Sequence, residues 1–172
     1  GAEAIEAGWT PTTLLDRVAD RGAAFHALVD AGALVTGLTN RQVAHYLLLE
    51  APTPLAHVDG VLFLDEDDRP LVAVRRSLEA VDVLPEHECG VPLDRRFTFY
   101  DHAHCTGLDV KQRVDAVAAV TLSKDTTWRD FAQAAFRLRG LGRGQTIVVF
   151  LIPELAGCVA EATRRPKPAV VG

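Results

Sequence analysis

The chain has 172 residues, 48% of them hydrophobic and 24% charged, enough to bury one core and fold as a single domain. A formal net charge of −5 with histidine neutral gives no overall attraction to nucleic acid or to an anionic membrane. No apolar run approaches the ~18 residues of a membrane span, and the opening GAEAIEAGWTP has neither the basic nor the apolar region of a signal peptide. We therefore expect a cytoplasmic protein that does not engage a membrane.

The cysteines Cys89, Cys105 and Cys158 are odd in number and lack the spacing of a disulfide framework, which points to reduced thiols. Methionine is absent, position 1 included, and we read the chain as a piece of a larger protein.

From the amino terminus, Leu14, Leu15, Val18, Phe25, Leu28 and Val29 follow Pro11 at helical spacing, predicting one helix over 11–30 or two meeting near Gly22. Thr39 or Asn40 then caps a helix through RQVAHYLLLEA, which Pro52 and Pro54 stop. His26 and His45 read as packing or surface residues, since neither has ligand-forming neighbours a helical turn away. GVLFL (60–64) and LVAVR (71–75) read as adjacent strands around DEDDRP, a solvated turn. Residues 76–96 form a polar connection without a clear period, and FTFY (97–100) is a strand. AVAAVTL (116–122) and TIVVFLI (146–152) are apolar enough to be buried on both faces, as in a parallel sheet. Between them a Thr127-x-x-Asp130 capping box opens a helix with Trp128, Phe131, Ala135 and Leu138 on one face, ended by Gly140, Gly142 and Gly144. A last helix, about 154–164, precedes the tail RRPKPAVVG. Strands alternating with helices predict a three-layer α/β fold with a mainly parallel sheet. We divide it into an N-terminal helical segment (1–56) packing on an α/β lobe (57–165), with a flexible tail (166–172).

Ligands of such folds bind at the carboxyl ends of the strands, where loops and helix N-termini gather. Two segments there carry chemistry. FTFYDHAHCTGLDVK places Asp101, His102, His104, Cys105, Gly107 and Asp109 directly after a strand. On the helix of residues 127–139, Arg129, Gln133 and Arg137 are four residues apart and share a face, followed by Arg139 and Arg143. Guanidinium forks match phosphate oxygens and offset charge that develops in phosphoryl transfer.

Together TGLDVK and QAAFRLR resemble the last motifs of superfamily two helicases and translocases, in which a Gly-x-Asp-Ile/Val loop precedes a helix with Gln-x-x-x-Arg and a further arginine. GLDVK is also similar to the Gly-Thr-Asp-Ile-Lys run of the bacterial preprotein translocase ATPase. Over most of its length the chain resembles the carboxyl-terminal part of very large proteins often labelled ubiquitinyl hydrolases, through GALVTGLTNRQVA, GVLFLD, DHAHCTGLDVK, AVTL and QAAFRLRGLGRGQ. The resemblance implies a RecA-like second lobe, the helicase carboxyl-terminal lobe, acting on ATP with Mg²⁺ that a first lobe mainly holds. Carried over by position, it makes Asp109 the ribose contact and Arg137 the arginine finger, with Arg139 a second. Gly107 allows close approach of the backbone, and Gln133 and Arg143 complete the nucleotide set. Two departures stand out: Thr106 replaces the common arginine before the glycine, and Arg139 falls six rather than seven residues after Gln133. No Gly-x-x-x-x-Gly-Lys-Ser/Thr loop occurs, so the chain is not expected to hydrolyse ATP alone. Its expected partner is the first lobe of the same parent protein, with polypeptide, ubiquitin or nucleic acid as open substrates.

Two other chemistries compete for the cluster. Cys105 with His104 or His102 and Asp101 has the residue types of a thiol isopeptidase, although neighbours on one tight loop point apart. His87, Cys89, His102, His104 and Cys105 offer nitrogen and sulfur ligands, but H-x-C-x12-H-x-H-C fits no common zinc module, and no metal site is expected.

Overall fold

The computed structural model describes residues 1–20, 25–104 and 110–164. In β3 (Gly60–Leu64) Val61 and Phe63 turn to one side and Leu62 to the other, and every residue of the strand is buried. A strand buried on both faces belongs inside a sheet covered on both sides. The same alternation recurs in β2 (Ala27–Val29), β6 (Arg96–Tyr100) and β7 (Val117–Leu122). Leu28, Phe97, Phe99 and Ala119 join one apolar cluster, and Ala27, Val29, Tyr100, Ala118 and Val120 the other. With β1 (Ala2–Ala4), β4 (Pro70–Arg75), β5 (Val81–Pro85) and β8 (Thr146–Leu151), they form one eight-stranded sheet in the order β1-β8-β7-β2-β6-β3-β4-β5. Pairing is parallel from β1 through to β3 and antiparallel along β3-β4-β5.

Helices cover both faces. α1 (Pro11–Asp20) buries Leu14, Leu15 and Val18, and α2 (Asn40–His45) buries Val43 and Ala44, all in the first cluster. α3 (Trp128–Ala135) sends Ala134 into the second cluster, while Leu155 of α4 (Pro153–Arg164) packs on the first. α2 opens with a reciprocal cap between Thr39 and Gln42, then widens into a π-type turn at Tyr46–Glu50. Arg75 of β4 closes its end, donating from Nη2 to the Leu48 carbonyl in the turn and to the Leu55 carbonyl beyond it, at 2.9 Å each. Among the described residues no helix is long and apolar enough to cross a membrane.

Three local expectations are corrected. Residues 27–29 are strand, not helix: β2 is three residues long and buried on both faces, so it has no two-residue alternation to display, and its apolar run continued the spacing of α1. Residues 1–56 consequently are not a purely helical segment, since they supply β1 and the central β2, and the sheet draws strands from both sides of residue 56. The polar connection 76–96 contains β5, which is polar because it is an edge strand with Asp82 turned outward between Val81 and Val83. The expected tail 166–172 lies outside the described residues.

Candidate functional site

After β2 the chain passes through α2 on one face toward β3, whereas after β7 it passes through α3 on the other face toward β8. Neighbouring parallel strands whose connections leave in opposite directions open a crevice at their carboxyl ends, the usual ligand position of such sheets. Asp30, Gly32, Thr121 and Ser123 meet there. Asp30, 1% exposed, accepts from the Leu34 and Val35 N–H groups at 2.9 Å each and from the Thr121 hydroxyl at 2.6 Å. Thr121 Oγ1 accepts in turn from Gly32 N–H at 3.1 Å. A Cβ on Gly32 would lie 2.8 Å from the Ser123 nitrogen, so only glycine lets the two loops touch. Sequence reasoning missed Asp30 and Thr121 as site architecture; the signal available was a polar residue ending each of two apolar strands.

Beyond β6, Asp101 and His104 form a turn in which His104 Nδ1 lies 2.5 Å from Asp101 Oδ1. The other ring nitrogen, Nε2, lies 2.8 Å from Asp68 Oδ1 in the β3–β4 turn. The acidic turn thus does more than face solvent. Asp65 organises it, accepting from the Asp67 and Arg69 N–H groups and pairing with the Arg69 guanidinium, which holds the Asp65 carboxyl below its ordinary range. Asp68, at φ +60, completes the turn and reaches His104. A cleft of about 650 Å³ opens alongside, walled by Asn40, Arg41, Phe63, Asp65, Asp101 and His104.

α3 begins with the predicted box: Thr127 N–H donates to Asp130 at 2.9 Å and Asp130 N–H donates to Thr127 Oγ1 at 3.2 Å. The Asp130 carboxyl is held below its ordinary range by the Thr127 side chain and N–H, with the positive charges of His102 and Arg129 adding to the effect.

The arginines stand differently from their helical expectation. α3 ends at Ala135; Arg137 and Leu138 donate their N–H groups to Ala134 and Ala135, three residues back, so Arg137 and Arg139 lie in a tight turn after the helix. The shared face of Arg129, Gln133 and Arg137 stops at Gln133, because the glycines at 140, 142 and 144 favour a turn over another helical turn. Gln133 and Arg137 are half-buried, while Arg139 and Arg143 are exposed. Closing this turn from below is Gln145, 5% exposed, which the sequence marked only as the last residue of QAAFRLRGLGRGQ.

Cys105, Gly107 and Asp109 lie outside the described residues, as do any contacts they make. His104, the base nearest Cys105 in sequence, has both ring nitrogens facing carboxyl groups. His102 is exposed. His87 is exposed, and the buried Cys89 sulfur accepts from Val91 N–H and Arg96 Nη2 at 3.4 Å each. Among the described residues no group of three or more His, Cys, Asp or Glu side chains could hold a metal ion. A separate cleft of about 490 Å³ beside α1, between Trp9, Asp16 and Pro52, contains none of the predicted site residues. What the described arrangement offers chemically is cationic: guanidinium groups on one turn that sits at the amino ends of β7 and β8, across the sheet from the crevice. No protein-family model, curated protein or solved structure matches this chain.

Proposed function

We propose that this chain is the RecA-like second lobe of an ATP hydrolase of the helicase or translocase type, completing a nucleotide site whose phosphate loop belongs to a first lobe. The observation that carries the reading is that the segments following the two motifs meet: Gln145, closing the arginine-bearing turn, donates from Nε2 to the Arg113 carbonyl at 2.7 Å, in the stretch that follows Gly107 and Asp109 in sequence. In this reading Asp109 accepts from the ribose hydroxyls, Arg137 supplies charge to the γ-phosphate, and Arg139 and Arg143 add to the local positive potential. The guanidinium donor set suits phosphate oxygens. Mg²⁺ and the remaining phosphate contacts fall to the first lobe, since this sequence has no phosphate loop.

The same cluster supports a thiol isopeptidase less well, because both ring nitrogens of His104 face Asp101 and Asp68, leaving the exposed His102 as the base for Cys105.

The test is Arg137→Ala in a polypeptide joining this chain to a phosphate-loop lobe. ATP turnover is expected to fall by ~10³ or more, with nucleotide affinity changed only a few-fold. Unchanged turnover removes the reading, and a ubiquitin probe with a carboxyl-terminal electrophile that labels Cys105 of the folded chain would replace it.

A further inference from the structure

Gln145 stands where the chain leaves the glycine turn for β8 and is 5% exposed. The backbone of the turn already closes it: Arg143 and Gln145 N–H groups donate to the Gly140 carbonyl at 2.8 and 3.2 Å, and Gly142 N–H donates to the Gln145 carbonyl at 3.3 Å. The side chain therefore adds something other than the shape of the turn. Its Oε1 accepts from Gly140 N–H at 2.7 Å, and its Nε2 donates to the Arg113 carbonyl at 2.7 Å, in a different segment. One buried amide bridges the arginine-bearing turn and the stretch that descends from the Gly-x-Asp loop to β7.

A second, independent contact joins the same two segments. Gly144 sits at φ +116, and a Cβ there would lie 2.7 Å from the Val114 carbonyl oxygen, so the backbones touch. The descending stretch is also held from its other side. Val110 is buried, and Gln112 Nε2 donates to Thr98 Oγ1 at 2.8 Å and Tyr100 Oη at 3.2 Å, both on β6. Residues 110–114 are thus fixed to β6 by one glutamine and to the arginine turn by another. The bridge asks for one acceptor and one donor on a single neutral planar group, which the glutamine amide provides; asparagine is one methylene shorter. Neutrality matters because an unpaired charge at this depth would be far costlier than an amide whose bonds are made.

Building on the lobe reading above, we infer that Gln145 is a positioning residue that locks the Arg137–Arg139 turn to residues 110–114, so that the γ-phosphate contact keeps a fixed spacing from the stretch that follows the Gly-x-Asp motif in sequence. Spacing of this kind matters, since a misplacement of ~1 Å can cost ~10² in rate.

The experiment follows backbone amide signals of this chain, isotope-labelled within the polypeptide that joins it to a phosphate-loop lobe, by NMR during titration with Mg²⁺ and ATP. In the native chain, amides of 110–116 and 137–145 are expected to shift along one saturation curve. In Gln145→Met, which keeps the bulk and removes both bonds, the response of 137–143 should fall about threefold or more while 110–116 still responds and β3–β4 amides keep their positions. Gln145→Glu should behave like Gln145→Met near pH 8 and like the native chain near pH 5, where a buried protonated carboxyl again donates to the Arg113 carbonyl. A common curve that persists in Gln145→Met overturns the inference. So does a loss of response that spreads to the β3–β4 amides or ignores pH in Gln145→Glu, since that marks general loosening. If the native chain shows no shift in either segment, the lobe reading itself fails, and the inference with it.

Discussion

Truncating Asp30 to alanine tests whether the crevice between β2 and β7 is held by the hydrogen bonds described above. The side chain is 1% exposed and accepts from Leu34 N–H, Val35 N–H and the Thr121 hydroxyl at 2.9, 2.9 and 2.6 Å. Leu34 and Thr121 are 6% and 0% exposed, so Asp30→Ala leaves two donors stranded away from water, while Val35, partly buried, can recover a water. Each stranded donor costs about 1–3 kcal/mol, giving about 2–6 kcal/mol in total. That is a large part of the ~5–15 kcal/mol that stabilises a domain. In urea, with a slope of ~1–3 kcal/mol per molar, the unfolding midpoint should move down by roughly 1–3 M at unchanged slope. Thr121→Val removes the shared bond from the other end and also deprives Gly32 N–H of its acceptor. The two substitutions should therefore be non-additive, the double variant falling short of the sum by ~0.5 kcal/mol or more. An Asp30→Ala midpoint within ~0.5 M of the native one, or strict additivity with Thr121→Val, would refute the account.

Acid sensitivity should come from the opposite edge of the sheet. Burial, then the charge of Arg113 and the neighbouring His57, lowers His26 from 6.5, and burial likewise lowers His57. The native state binds these protons less readily than the unfolded chain, so stability is complete above the unfolded value of 6.5 and is lost as pH falls below it toward the folded values. His26 Nδ1 accepts from Val117 N–H at 3.1 Å, a bond that a glutamine oxygen can keep, so His26→Gln should flatten the urea midpoint between about pH 7 and about pH 5; an unaltered profile contradicts the assignment. Thr127→Ala removes the α3 cap and should cost about 1 kcal/mol, read as a melting shift of ~2–4 °C. Gly142 and Gly144 both have positive φ, but only Gly144 faces a backbone oxygen, so Gly144→Ala should destabilise by more than Gly142→Ala, which should cost ~1–2 kcal/mol; equal melting temperatures would contradict this.

Strands with strong local signals were legible in the sequence. The runs at 60–64, 71–75, 97–100, 116–122 and 146–152 each form a strand within a residue or so of those bounds, because β-branched and aromatic residues buried on a pleated surface need little help from context. Caps were equally legible: Thr39 and Thr127 satisfy orphan N–H groups three residues on, a purely local bond. The chemistry-bearing types in DHAHC and RLRGLGR could also be named from the sequence, though not what they touch.

Contacts across the fold were decided only by the tertiary structure. β2 is three residues long, and nothing local marks it as the strand between β6 and β7; its neighbours lie about 70 and 90 residues away along the chain. Asp30 became a keystone because Thr121 arrives beside it, and Gln145 a bridge because Arg113 does. The end of α3 was likewise settled by packing: the pattern of Arg129, Gln133 and Arg137 continues a helix, yet the chain turns at Phe136 to bury Leu138 and bring Gln145 under Gly140. Side-chain periodicity records which face of an element is apolar, and local bonds record where it starts. Which distant backbone group waits to receive a buried amide or carboxyl is a property of the folded sheet, and a single sequence does not carry it.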